Sequence, residues 1–139
     1  MRSLTLVTVL LVASSLVPIG AWLAMAASIE PAGIGRSIGR AILVVMSPSA
    51  FAGLLMIAGA VMLHHTPQAA RIVATIGTAV VLVAGFGAAA VLTRRYSNCG
   101  GEGCGEELIH AIAAFVYAFA QIGLIALIWR ARDAAPGAG

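Results

Sequence analysis

Lysine is absent from this chain, and charge of either sign is scarce: eight arginines face four glutamates and one aspartate in 139 residues. Charged side chains make up 9% of the sequence, where a soluble domain carries about 25%. A water-soluble fold of this length must cover its surface with polar groups, and so few ionisable residues cannot do it. Long stretches lack charge altogether. No acidic or basic residue falls within 3–29, 41–63, 72–93 or 108–129, apart from His110 near one end. A proton- or cation-coupled carrier usually places a carboxylate or an arginine inside the membrane. Also missing are a nucleophile with a neighbouring base, a phosphate-cradling loop, paired catalytic carboxylates and a C-x-x-C pair. These absences leave no reaction to name and no cofactor to assign.

Apolar residues are abundant instead, at 61% of the chain with a mean hydropathy of +1.04. The four uncharged runs each exceed the roughly 20 residues that span a hydrocarbon core as a helix. They lack the period-two alternation of barrel strands, and only helices or closed barrels satisfy their backbone in lipid. The expectation is an all-α integral membrane four-helix bundle with spans at about 4–27, 41–63, 72–93 and 108–129. The links 28–40, 64–71 and 94–107 are short, so consecutive helices run antiparallel, up-down-up-down. A single domain over 1–133 and a disordered tail over 134–139 follow. A competing reading exists for the first run. Met1-Arg2, the apolar stretch from Leu4 and Ala24-Met25-Ala26 resemble a secretory signal peptide with its cleavage site. The run is longer than the 7–15 residues typical of such a core, which favours a span.

Orientation is not decided by arginine number. Arg2, Arg71, Arg130 and Arg132 lie on one side and Arg36, Arg40, Arg94 and Arg95 on the other. Four glutamates, Glu30, Glu102, Glu106 and Glu107, neutralise the second side. The only cysteines, Cys99 and Cys104, share a glycine-rich loop there, which suits an oxidising compartment. The chain is therefore expected in a bacterial inner (plasma) membrane, termini cytoplasmic and cysteine loop outside. The arginines are scattered in ones and twos, as membrane flanks are, so no nucleic-acid partner is expected.

Two constellations carry what chemistry there is. Gly100, Gly101 and Gly103 let the loop turn tightly enough for Cys99 and Cys104 to bridge; a thiol-exchange pair, or a metal held by Cys99, Cys104 and His110 with Glu106, are the other readings. On the last helix His110, Ala114, Tyr117 and Gln121 share a face, with Glu106 one turn before His110. Such a stripe should face the bundle interior, either to fix packing or to line a pocket for a small hydrophobe. His64 and His65 end the second run about 30 Å from His110, too far to share one haem iron. Helix packing is expected through Ser49-x3-Gly53 and Gly85-x3-Ala89, where small residues let backbones approach. Pro18 and Pro48 each remove a helical hydrogen bond, and Ser14 and Ser15 sit where they could compensate.

The segment from Arg94 to Arg132 resembles the closing unit of an uncharacterised family of multi-pass bacterial membrane proteins. The matching pieces are the polar loop Tyr96–Glu107 and then His110, Ala113, Ala114 and Phe115. The resemblance covers under a third of the chain, lacks the family's loop aspartate, and implies no activity. The expected role is non-catalytic: a protein that works by packing in the lipid bilayer, as a homo-oligomer or a subunit of a larger membrane complex. The alternatives are a thiol-, metal- or ligand-dependent redox or sensing protein using Cys99, Cys104 and His110, and a small transporter.

Overall fold

The computed structural model describes residues 2–29, 34–101 and 103–131. It contains four helices and, among the described residues, no strand: α1 (Arg2–Ala27), α2 (Ile34–Met62), α3 (Pro67–Ser97) and α4 (Cys104–Arg130). Each is long and apolar enough to cross a membrane. The last three outrun their uncharged stretches. α2 begins before Arg36 and Arg40, and α3 continues through Arg94 and Arg95. Arginine is a good helix former, so a change from lipid to interface gives the backbone no reason to stop. The boundaries follow capping residues instead. Pro67 opens α3 at its first position, where a missing N–H costs nothing. Asn98 closes it, donating its backbone N–H to the carbonyls of Arg94 and Arg95. Gly103, at φ 104°, makes the left-handed turn into α4. Glu106 and Glu107 lie in the first turn of α4, and Arg94, Arg95 and Arg130 in the last turns of α3 and α4. Each charge thus matches the helix dipole beside it. The expected tail 134–139 lies outside the described residues.

Glycine sets how closely neighbouring helices approach. A Cβ at Gly53 of α2 would lie 2.9 Å from Ile19 and 3.1 Å from the Ser15 carbonyl of α1. One at Gly59 would meet Ala74 of α3 at 2.8 Å, and one at Gly77 of α3 the Ala52 carbonyl at 2.7 Å. Gly85 of α3 faces Ala118 of α4 at 3.2 Å. Each helix packs mainly on its chain neighbours, and α1 meets α4 only sparingly.

Burial is uneven along the bundle. The main core, including Val7, Leu11, Met56, Ala60, Leu63, Ala74, Leu124 and Ile128, gathers at the end that holds the chain termini and the α2–α3 turn. Toward the disulfide end, α2 buries nothing between Gly35 and Pro48, and α3 buries only Ala89 beyond Val83. Large apolar side chains there, such as Val44, Val45 and Val83, are more than two-thirds exposed.

Candidate functional site

Polar residues of α1 and α4 meet beside Pro18. A proline at this position has no N–H to donate to the carbonyl four residues back, so Ser14 is left with a free acceptor in an apolar layer. Tyr117 of α4 fills it: its hydroxyl donates to the Ser14 carbonyl at 2.6 Å. Gln121, one turn further along α4, donates its amide to Ser14 Oγ at 2.7 Å. Gln121 is only 1% exposed, and its Oε1 has no partner. Ser15 does not compensate for the proline. Its hydroxyl turns back to the Val12 carbonyl at 2.6 Å. These two hydrogen bonds tie α1 to α4 across their thin seam at Ser14, whose carbonyl Pro18 leaves without an intrahelical donor. Pro48 has no such parallel: the indole of Trp22 donates to the Leu43 carbonyl of α2 at 3.3 Å, one residue before the carbonyl that Pro48 leaves free.

The shared face of α4 divides. Tyr117 and Gln121 turn toward α1, whereas His110 is exposed. His110 Nδ1 meets the backbone carbonyl of Glu106 at 2.6 Å, so the relation between these residues is a turn-to-turn bond and does not engage the Glu106 carboxylate. Glu106 itself is exposed. Sequence spacing assigns these residues to one face correctly but cannot say which of them lies deep enough to be covered. At the disulfide end little covers α4.

Cys99 and Cys104 are joined in a disulfide, with a Cα–Cα distance of 5.9 Å. Both sulfurs are used in the bridge, so neither is a thiolate that could bind zinc, and no group of three or more metal-binding side chains occurs among the described residues. The bridge staples the end of α3 to the start of α4. A cleft of about 560 Å³ opens beside it, lined by Val91, Arg94, Arg95, Asn98, Cys99 and Glu107. An apolar groove of about 280 Å³ runs between α1 and α2, past Ile19, Trp22, Ser47 and Phe51. Neither cavity touches His110, Tyr117 or Gln121.

Of the small-residue pairs, Gly53 and Gly85 stand at close approaches, Ala89 is fully buried, and Ser49 is half-buried with its hydroxyl on the Met46 carbonyl at 2.7 Å. Two buried polar groups escaped the reading of the sequence. Thr75 Oγ1 and Arg71 Nε are sealed from solvent and have no partner. Arg71 reads as a membrane flank, yet it shares the buried face of α3 with Ala70, Ala74 and Thr78. Its spacing from these small residues was the available signal.

No family model matches this chain, and neither does any curated protein or solved structure.

Proposed function

We propose that the chain is a small non-catalytic protein of the plasma membrane that works by packing its helices, either against copies of itself or against other membrane subunits. On this reading the termini are cytoplasmic and the disulfide loop lies outside. The observation that carries it is the uncovered small-residue face of α3. Ala84, Gly87, Ala88 and Val91 lie on one side of the helix and are all exposed. Nothing comes within 4 Å of a Cβ built on Gly87. Within the bundle the same helix uses Gly77 to bring the Ala52 backbone of α2 close and Gly85 to admit the Ala118 side chain of α4. In lipid, apolar exposure by itself drives no association, whereas small residues four apart permit the close van der Waals packing that does. Ala84-x3-Ala88 is such a pair, and it stands where α2 buries nothing.

Association is read by gentle solubilisation from native membranes followed by mass measurement. The expected particle contains several copies of the 14.1 kDa chain, or that chain with other subunits. Gly87→Leu should reduce it to single chains while leaving the fold intact. A lone wild-type chain that turns over a substrate would overturn the proposal.

A further inference from the structure

Arg71 is the fifth residue of α3, and it lies on the side of that helix turned into the bundle. It is 8% exposed, and its Nε is sealed with no hydrogen-bond partner. Among the described residues no carboxylate stands at this end: Glu106 and Glu107 begin α4 at the opposite end. The nearby ionisable groups are His64, His65 and Arg130, all exposed. A cationic side chain buried to this degree without a counter-charge among the described residues is costly.

The start of α3 adds a second demand for negative charge. Thr66 provides no side-chain cap and Pro67 has no N–H. The Ala70 N–H is taken by the Thr66 carbonyl at 2.9 Å. The amides of Gln68 and Ala69 are left without helical acceptors at the positive end of a 31-residue helix. Side chains on a helix lean toward its N-terminus, which is the direction of those amides from Arg71.

We propose that this end of α3 binds a phosphate group, held by the Arg71 guanidinium and the amides of Gln68 and Ala69. Guanidinium presents a planar fork of donors that matches phosphate oxygens, and free amides at a helix start complete an anion site. The group is supplied by an anionic phospholipid headgroup or by free phosphate. The site is independent of whether the protein associates.

Thermal unfolding in dodecyl maltoside tests it, with sodium chloride at matched ionic strength as the baseline. Adding phosphatidylglycerol should raise the Tm of the wild type by about 3–6 °C. Arg71→Gln should lose that rise, and Arg130→Gln should keep it. An equal response to inorganic phosphate identifies the bare group as sufficient, while a response to phosphatidylglycerol alone identifies a lipid site. No rise from either, or the same rise in Arg71→Gln, overturns the proposal. So does destabilisation by Asp133→Asn without a phosphate response, which would assign the counter-charge to the chain's own C-terminal segment. Should Arg71→Gln fail to fold, native mass spectrometry of the wild type decides the matter. Preferential retention of phosphatidylglycerol over a phosphate-free galactolipid supports the site, and equal retention overturns it.

Discussion

The two halves of the bundle are made from similar residues and behave differently. Both are rich in Ala, Gly and Val, yet Met56, Leu11 and Ile128 are fully buried in the terminal half while Val44, Val45 and Val83 lie open in the disulfide half. Composition does not separate them. What differs is the presence of three close glycine approaches, at Gly53, Gly59 and Gly77, that draw consecutive helices into backbone contact in or next to the terminal half. Apolar side chains gain little from one another in lipid, so packing there depends on shape and on satisfied polar groups rather than on hydropathy.

The largest effect that would test this contrast comes from one helix. Gly77→Leu places side-chain atoms where even a Cβ would stand 2.7 Å from the Ala52 carbonyl. It should cost about 3 kcal/mol, read as a drop in thermal stability in micelles. Gly87→Leu, ten residues along α3 in open space, should leave the isolated chain as stable as before. Equal losses at the two sites would dissolve the distinction between the halves.

A smaller effect is expected from replacing Cys99 and Cys104 together with serine. Closing so short a loop contributes about 2 kcal/mol by chain entropy. Because little else packs at that end, the loss should remain local. Amide exchange should rise near Ser97 and Leu108 while the terminal half stays protected. Uniform loosening would instead join the two halves into one cooperative unit.

Tyr117→Phe removes the donor to the Ser14 carbonyl and should cost about 1 kcal/mol. The sharper measurement is a double-mutant cycle with Pro18→Ala. Alanine restores a backbone N–H for Ser14, so the tyrosine change should cost less in that background. Additive losses would sever the link between proline and tyrosine. The smallest effect belongs to His110, exposed in the sparsely packed half: His110→Ala should shift stability by no more than about 0.5 kcal/mol.

Much of this was legible beforehand. Four uncharged runs of more than 20 residues leave helices as the only economical backbone solution, and the short links impose their alternation. The bridge between Cys99 and Cys104 was legible because glycines surround the only two cysteines. The helix ends were less so, since Arg36, Arg40, Arg94 and Arg95 mark where lipid ends and not where hydrogen bonding ends. Ser14 and Ser15 sit where they could compensate for Pro18, but neither does: the group that caps the freed carbonyl comes from α4, about a hundred positions away in the chain. No local pattern reveals such a partner.

The sequence by itself determined the number of helices, their alternation and the disulfide loop, because backbone satisfaction and chain length act locally and admit few solutions. Only the tertiary structure decided which faces are covered. It separated Gln121, enclosed against α1, from His110, left open on the same face of α4. It also placed Arg71 on the covered side of α3, although its position at the edge of an uncharged run reads as a flank. Depth of burial depends on how closely helices distant in sequence approach, and that distance is set by contacts such as Gly77 on Ala52, which no single segment contains.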